Sequence, residues 1–391
     1  MIIRTPKKLT SVAFLLAATC ATVAHAEVKV GFVGTLSGPA AALGQDQYDG
    51  FMLGLEHVGG KLGGKDTKII KEDDQQKPDV GVQVLRKLVE KDKVDLVTGV
   101  TFSNVMMAMA KPLTDTETMF VGSNAGPAPL AGKLCNANFF FTSWQNDNQA
   151  EVLGQYATDK GYKKLYLMAP NYQSGKDQVQ GFKRFYKGNI AGEVFTQLNQ
   201  PDYSAEIAQM QAAAPDAVFA FFPGGMGVNF IKQMRQASML GKQPLLTVST
   251  VDGTTLPALK ETALGVYSGS FWGPDFDNAT SRKFVADFEK KYNRIPSQYA
   301  AQAYDSALLI DSALRKTGGN TSDKAALRAA LKAADFNSVR GKLQFGANGF
   351  PIQDMSMFEV AKNAAGQVSL KTIATPLKNL RDAYAAECAL K

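Results

Sequence analysis

Short hydrophobic runs alternate with amphipathic stretches along most of the chain from Val28 onward. Runs such as VKVGFVGT and VDLVTGV have the length and the β-branched content of buried strands. The stretches between them place apolar residues at helical spacing, as Leu85, Leu88 and Val89 do, which predicts helices with one buried face. Strands that alternate with helices in this way predict a parallel sheet covered by helices on both faces.

The alternation is interrupted at NANFFFTSWQ, residues 136–145, and a second series of the same kind follows. Two series predict two similar lobes rather than one large sheet, in agreement with the chain length. Three long helical patterns and two short strand-like pieces come last and must rejoin these lobes. We predict an N-terminal lobe of residues 27–143 and 276–350, and a C-terminal lobe of residues 144–275 and 351–391.

Residues 1–26 have the features of a secretory signal peptide, which predicts export and cleavage near Ala26. Arg4, Lys7 and Lys8 form a basic start, SVAFLLAATCATVA is apolar, and small residues precede the cleavage point. A membrane anchor fits less well because the apolar run is short. Lipid attachment at Cys20 remains an alternative, although AATC matches a lipidation box imperfectly. No later run approaches the 18 apolar residues that a membrane span needs.

Charge and cysteine content narrow the classes of protein further. The net charge is +7, but the basic pairs are scattered among acidic residues, so we expect no nucleic-acid partner. Beyond the predicted signal peptide only Cys135 and Cys388 remain. An even count in an oxidising compartment favours a disulfide, which would close a loop of roughly 250 residues. Two separate thiols are the alternative.

Catalytic motifs are poorly represented in the sequence. His57 is the one histidine beyond the signal peptide, no G-x-S-x-G elbow is present, and no Cys/His cluster suits zinc. We expect His57 to complement a helix dipole. GGKLGGKD resembles a phosphate loop, but Asp66 stands where Ser or Thr is required, and a helix precedes it, so we interpret it as a surface turn. We therefore expect no cofactor, no metal and no enzyme, with a two-lobed α/β enzyme as the alternative.

Small polar residues recur where the predicted strands end, and ligands of open α/β sheets bind at these ends. In TGVTFSNVMMAMAKP, Ser103 and Asn104 stand between a strand and a helix. One of them could cap the helix. Alternatively, the free amides of the helix start and the Ser103 hydroxyl bind a ligand carboxylate. Ala125 and Gly126 are small enough to offer their own amides to the same carboxylate, and Phe102 supplies an apolar wall.

The stretches KVGFVGTLSGPAAALGQD, GGKLGGK, VTGVTFSNVMMAMAKP, SNAGPAPL and NYQSGKDQVQGFKR resemble the leucine/isoleucine/valine-binding protein family. These are type I periplasmic solute-binding proteins of ABC importers, and the resemblance covers residues 27–391. It implies an α/β fold of two Rossmann-like lobes with parallel sheets, joined by a three-strand hinge. It also implies a periplasmic monomer that closes on a small carboxylate solute, performs no chemistry on it and delivers it to a membrane permease.

The resemblance assigns roles to particular positions. Ser103 matches the family's serine that hydrogen-bonds the solute carboxylate. Ala125 and Pro127 fall where the family uses a backbone amide and a threonine hydroxyl, and the proline removes a donor. Leu43 falls where amino-acid binders often place tryptophan.

Further matches concern the other end of the solute. Ser174, or its neighbour Tyr172, aligns with a pocket tyrosine, and Met226 replaces an aromatic residue. Tyr299 matches an aromatic residue of the side-chain pocket, and Asp252 matches the acid that pairs with an α-ammonium group.

These departures favour the branch of the family that binds aromatic acids, such as hydroxybenzoates or phenylpropenoates. Phe102, Tyr172, Met226 and Tyr299 would then contact the ring. Asp252 would accept a hydrogen bond from a ring hydroxyl instead of an ammonium group. A branched-chain amino acid remains the alternative solute.

Overall fold

The computed structural model describes residues 1–3 and 27–390. Residues 4–26 of the predicted signal peptide, with Cys20 and the cleavage point at Ala26, lie outside the described residues. Among the described residues, no helix is both long and apolar enough to cross a membrane.

The first lobe is built on a six-stranded sheet with the order β2-β3-β1-β4-β5-β6. Its strands are β1 (Val28–Gly34), β2 (Lys61–Leu62), β3 (Lys65–Asp73), β4 (Leu96–Gly99), β5 (Met119–Gly122) and β6 (Phe139–Phe141). All neighbours are parallel except β2 and β3, which form a tight hairpin. The hairpin turn is the glycine-rich GGKLGGKD stretch, where Gly63 and Gly64 have positive φ angles of 60° and 73°. This confirms that the stretch is a turn and not a phosphate loop.

The second lobe is built on an eight-stranded sheet with the order β12-β13-β11-β10-β9-β7-β8, and β14 pairs with β13. Its strands are β7 (Lys164–Pro170), β8 (Asn189–Thr196), β9 (Ala217–Phe221), β10 (Leu245–Val248), β11 (Tyr267–Ser270), β12 (Gln344–Phe345), β13 (Pro351–Lys362) and β14 (Val368–Leu380). Strands β7 to β11 are mutually parallel, whereas β13 runs antiparallel to all three of its neighbours. The sequence predicted only short pieces here and missed the long antiparallel hairpin.

The helices cover both faces of each sheet. They are α1 (Ala41–His57), α2 (Pro78–Arg86), α3 (Ser103–Asp115), α4 (Ala128–Ala131), α5 (Asn148–Asp159), α6 (Gln173–Phe185), α7 (Ser204–Ala213), α8 (Gly225–Gln236), α9 (Leu256–Leu259), α10 (Ala279–Tyr292), α11 (Gln298–Lys316) and α12 (Lys324–Ala333). A π-helical turn, Lys87–Lys91, extends α2, and short 3₁₀ turns lie at Lys260–Ala263 and Ala385–Glu387.

Each sheet separates two hydrophobic cores because successive strand residues point to opposite faces. In β1, Phe32 packs on the side of α11 and α12, whereas Val33 packs on the side of α2 and α3. In β7, Leu167 faces α5 and α6, and Met168 faces α7 and α8. This two-sided burial explains why the strands are nearly continuous hydrophobic runs in the sequence.

The chain crosses between the lobes after β6, after β11 and before β12. The buried Arg340 joins these crossings. Its guanidinium donates to the carbonyl oxygens of Thr142 and Ser143 and to Gln353, and it lies 3.9 Å from the ring centre of Phe271. A salt bridge of 3.1 Å to Asp305 balances its charge. The predicted lobe bounds, which place these crossings at the boundaries, remain a prediction.

The C-terminal tail returns to the first lobe. Cys135, between α4 and β6, forms a disulfide with Cys388, which follows β14. The two cysteines are 253 residues apart in the sequence. The tail is held further by Tyr384, whose hydroxyl donates to Asp147, and by Asp382, which accepts from Asn348.

His57 ends α1, but its ring is engaged with neighbouring side chains. Its Nδ1 lies 2.8 Å from the Tyr304 hydroxyl, and its Nε2 lies 3.1 Å from Asp287. Burial is the main cause that lowers the pKa of His57. His57 lies in the last turn of α1, where it was expected, and its role at the helix dipole stays a prediction.

Candidate functional site

Two strand ends with the same backbone geometry face each other across the cleft. Val100, after β4, and Ser249, after β10, both have positive φ angles, 62° and 52°. Such angles are costly for residues other than glycine and are tolerated where the surroundings enforce them. The next residue is a threonine in each case. The Thr101 hydroxyl accepts from the backbone N–H of Thr35, and the Thr250 hydroxyl accepts from that of Phe222.

Between these strand ends lies a narrow, largely enclosed cavity. The first lobe contributes Leu43, Thr101, Phe102, Ser103, Asn124 and Ala125, the crossing after β6 contributes Trp144 and Asn146, and the remaining lining residues are Gln149 of α5, Tyr172, Ser174, Gln178, Phe221, Pro223, Ser249 and Tyr299. The lobes touch across the cleft, since Asn199 Nδ2 donates to Gln76 Oε1 at 2.7 Å. The described structure is therefore a closed form.

None of the described residues that line the cavity carries a formal charge. Its polarity comes instead from helix starts, because α3 and α6 begin at the cavity and their first turns contain Ser103 and Ser174. Neither helix has a side-chain cap or an acidic residue in its first turn. Unpaired N–H groups and the helix dipole make such ends favourable for an anion.

Ser103 does not cap α3, contrary to one of the two sequence-based interpretations. Phe102 occupies the capping position in an extended conformation, so Ser103 is already the first helical residue. Its Oγ accepts from Asn146 Nδ2 at 3.0 Å. The expected free amides of Ala125 and Gly126 are also engaged, since they donate to the Val100 carbonyl and to Asn146 Oδ1. Donors to an anion therefore have to come from Ser103 and the helix starts.

Aromatic rings form the apolar part of the cavity. The ring centres of Phe102 and Tyr172 are 5.9 Å apart, and those of Tyr172 and Phe221 are 6.1 Å apart with nearly parallel planes. Burial raises the pKa of the Tyr172 and Tyr299 hydroxyls above their usual range. Both phenols therefore stay neutral at physiological pH and keep their protons as hydrogen-bond donors.

The structure brings together most, but not all, of the predicted site residues. Leu43, Phe102, Ser103, Ala125, Tyr172, Ser174 and Tyr299 line the cavity. Asn104 lies outside it and donates to the Gln76 carbonyl. Gly126 also lies outside it, and Met226 packs in the core between β9 and α8, where its sulfur accepts from the Asn199 N–H.

Asp252 also lies outside the cavity, in a separate space shared with Trp272 and Gln298. Its Oδ1 accepts from the backbone N–H and the hydroxyl of Thr254, whereas its Oδ2 is buried without a hydrogen-bond partner. Burial is the main cause that raises the pKa of Asp252 to about 6. This carboxylate does not face the cavity in the closed form.

Sequence reasoning missed the residues contributed by the crossing after β6 and several from the second lobe. Among them, Gln149 and Gln178 each have a buried Oε1 with no hydrogen-bond partner. Buried acceptors of this kind are costly unless a ligand satisfies them. The strand-end pattern could have found Asn124 and Ser249, but no sequence signal marked the crossing residues. The described residues contain no group of His, Cys, Asp or Glu side chains that could hold a metal ion.

Comparison with known proteins supports this description of the fold and the cleft. The family model described as "Periplasmic binding protein" matches residues 27–366. The "Leu/Ile/Val-binding protein homolog 6" of Brucella melitensis biotype 1 is 28% identical over 383 residues, which cover 94% of this chain and 97% of that protein.

Solved structures agree with the family match. A solute-binding protein of an ABC transporter from R. palustris, in complex with benzoate, has a TM-score of 0.88 and 29% identity, covering 93% of this chain and 100% of that one. One from Rhodopseudomonas palustris BisB5, in complex with 3,4-dihydroxybenzoic acid, has a TM-score of 0.86 and 26% identity, with coverages of 91% and 99%. The chain belongs to the periplasmic binding protein family and is a solute-binding protein of an ABC transporter.

Proposed function

We propose that the protein captures an aromatic carboxylic acid with a ring hydroxyl, such as a hydroxybenzoate or hydroxylated phenylpropenoate, and delivers it to a membrane permease. The observation that carries this proposal is the cavity itself. It combines two uncapped helix starts with aromatic rings, and none of its described lining residues is acidic. A solute with a carboxylate and no ammonium group matches these three properties together.

The carboxylate is assigned to the end of the cavity formed by the start of α3. Ser103 supplies a hydroxyl donor there, and Ser174 supplies another from the start of α6. Neutral donors and helix dipoles stabilise an anion without a buried cation, which would need a partner of its own whenever the site is empty.

The ring is assigned to the space between Phe102, Tyr172, Phe221 and Tyr299. Offset and tilted ring contacts of this kind contribute about 0.5–1.5 kcal/mol each beyond the area that they bury. The unpartnered Oε1 atoms of Gln149 and Gln178 call for a donor on the solute, which a ring hydroxyl supplies. The benzoate and 3,4-dihydroxybenzoic acid complexes of the similar proteins support this assignment.

A branched-chain amino acid is the second candidate. It is favoured by the name of the Brucella relative and by the unpartnered Oδ2 of Asp252, which could accept from an α-ammonium group. That contact requires Asp252 to turn toward the cavity, because it does not line the cavity in the closed form.

Calorimetric titration of the purified, ligand-stripped protein tests the proposal. We expect 4-hydroxybenzoate or 4-coumarate to bind more tightly than benzoate, and leucine to bind at least a hundredfold more weakly, because an unpaired ammonium group in a buried site is costly. Tight binding of leucine without binding of either aromatic acid would contradict the proposal. Recovery of the titrated solute unchanged by chromatography would support a binding role over the enzyme alternative.

A further inference from the structure

The side-chain amide of Asn146 is held in one orientation. Its Oδ1 accepts from the backbone N–H of Gly126 at 3.2 Å, and its own backbone N–H donates to the Gly126 carbonyl at 2.8 Å. A backbone N–H is only a donor, so the atom that faces it must be the amide oxygen. The amide nitrogen of Asn146 therefore points the other way, toward Ser103.

The two hydrogens of this amide nitrogen are both used. Asn146 Nδ2 donates to Ser103 Oγ at 3.0 Å and to Asp177 Oδ2 at 2.8 Å. Because Ser103 Oγ is an acceptor in the first of these bonds, the hydroxyl hydrogen of Ser103 is left for another partner. Since Ser103 lines the cavity, this hydrogen is within reach of a solute bound there.

Asp177, in the second turn of α6, is built to accept hydrogen bonds. It is 5% exposed, and besides Asn146 it accepts from the Ala128 backbone N–H at 3.1 Å and from Gln173 Nε2 at 2.8 Å. Ala128 belongs to α4 of the first lobe, so these bonds also join the two lobes. Asn146 and Ala128 donate to Oδ2 and Gln173 donates to Oδ1, so both oxygens of Asp177 act as acceptors, as those of a carboxylate can.

Asp177 has no ion-pair partner among the described residues. The titratable and charged side chains around it are Asp147, Tyr172, Lys176, Tyr384, Lys133 and Glu387. The nearby Arg184 is occupied by Asp147 and Glu151. The Asp177 carboxyl group therefore accepts from neutral N–H groups only. We interpret it as a group that orients its donors, not as one half of a salt bridge.

We propose that Asp177 is a positioning residue for the solute. By accepting from Asn146, it holds the amide that in turn directs the Ser103 hydroxyl hydrogen into the cavity. Ser103 is thereby fixed as a donor beside the N–H groups at the uncapped start of α3. Both oxygens of a carboxylate can accept there, whereas the NH₂ group of an amide of the same shape would face donors. This inference rests on the proposed function, because it presumes a carboxylate solute at Ser103.

A double-mutant cycle tests the inference. Ser103→Ala, Asp177→Asn and the double variant are titrated with 4-hydroxybenzoate, or with leucine if the wild-type protein binds only that solute. We expect each single variant to bind about tenfold or more weakly. In the Ser103→Ala background, Asp177→Asn should add less than about a twofold loss, because its effect passes through the missing hydroxyl.

A second measurement separates positioning from a general effect on folding. The wild-type protein should prefer 4-hydroxybenzoate to 4-hydroxybenzamide (or leucine to leucinamide), and Asp177→Asn should reduce this preference. Asp382→Asn is the matched control, because Asp382 is a buried aspartate that accepts from an asparagine amide and a backbone N–H but contacts no cavity residue. It should leave the preference unchanged. In a protein that already carries Asn146→Ala, Asp177→Asn should have no further effect on this preference. This comparison serves as the test if Asp177→Asn folds poorly alone.

The outcomes distinguish the two proposals. A wild-type protein that binds neither solute would contradict the proposed function and, with it, this inference. If the affinity losses of Ser103→Ala and Asp177→Asn multiply in the double variant, the two residues act independently. That result would overturn only the role of Asp177. An unchanged preference for the acid over the amide in Asp177→Asn would overturn it equally.

Discussion

The strand ends at residues 100–103 and 249–252 are built alike but use their last residue in opposite ways. Each begins with a left-handed residue, Val100 or Ser249, and continues with a threonine that accepts from a neighbouring strand end. At the fourth position the first end places Ser103 in the cavity. The second end places Asp252 in a separate space, hydrogen-bonded to its own turn.

Under the proposed function, the backbone of the two loops sets where the solute binds, and the side chain at the fourth position sets the charge beside it. A neutral hydroxyl at the start of α3 leaves the helix dipole available to an anion. An acidic group turned toward the cavity would repel that anion, and Asp252 is turned away. The comparison therefore links the proposed preference for a carboxylate to two single residues on equivalent loops.

Replacing Asp252 should give the largest effect, and that effect is on the free energy of unfolding. The variant tests whether the Asp252 carboxyl group matters for folding rather than for solute binding. Its pKa of about 6 lies above the unfolded value of about 3.9, so the folded protein holds the proton more tightly. This stabilisation is complete below about pH 4 and is lost as the pH rises through 6. Relative to wild type, Asp252→Asn should therefore gain about 2–3 kcal/mol of unfolding free energy between pH 4 and pH 7.

Urea denaturation at several pH values measures this gain. Affinity for 4-hydroxybenzoate should change by less than about threefold in the same variant. A large loss of affinity would instead place Asp252 against the solute.

Ser103, the fourth residue of the loop 100–103, should matter for solute binding and not for the stability of the fold. Ser103→Ala removes a hydrogen bond to a charged group, which corresponds to about 1.5–3 kcal/mol of binding free energy. Ser249→Ala, on the equivalent loop, serves as the comparison variant, because Ser249 also lines the cavity and also accepts from a side-chain amide but does not begin a helix. Calorimetry should show the larger loss in Ser103→Ala, and equal losses would argue against a special anion site at α3.

The two threonines should be equivalent, because each satisfies one buried N–H. Thr101→Val and Thr250→Val each leave that donor unpaired, at a cost of about 1–2 kcal/mol in unfolding free energy. Chemical denaturation measures both. Costs that differ by several kcal/mol would show that the likeness of the two loops is superficial.

The third residues of the two loops, Phe102 and Val251, should give the smallest effect, which is on the affinity for the solute. Phe102 lines the cavity, whereas Val251 on the equivalent loop is buried in the second-lobe core. Phe102→Leu should weaken binding of 4-hydroxybenzoate by about 0.5–1.5 kcal/mol, because a ring contact is lost. Val251→Ile should leave the affinity unchanged, and a titration of both variants decides whether the ring contact exists.

The sequence predicted the parts of the fold that depend on local pattern. Alternating strands and helices predicted both parallel sheets, and the polar strand ends led to Ser103 and Ser174. The antiparallel pair β13 and β14 was underestimated because β14 is largely half-exposed and its pairing contains register shifts. Local periodicity does not register such a strand.

The candidate site was less predictable because tertiary packing decides the direction in which each side chain points. Asn146 and Trp144 reach the cavity only because the chain crosses there between the lobes. Asp252 and Met226 follow strand ends, as the pattern requires, yet packing turns both away from the cavity. A strand-end rule finds the right loops, but it does not say which way each side chain points.

The disulfide between Cys135 and Cys388 has a mechanical consequence. It holds two Cα atoms 5.7 Å apart, one preceding β6 in the first lobe and one in the tail that follows β14. When the lobes swing apart to release a solute, these two points must stay together. The tail therefore stays with the first lobe, and the chain between β14 and Cys388 has to absorb any movement of the second lobe relative to it.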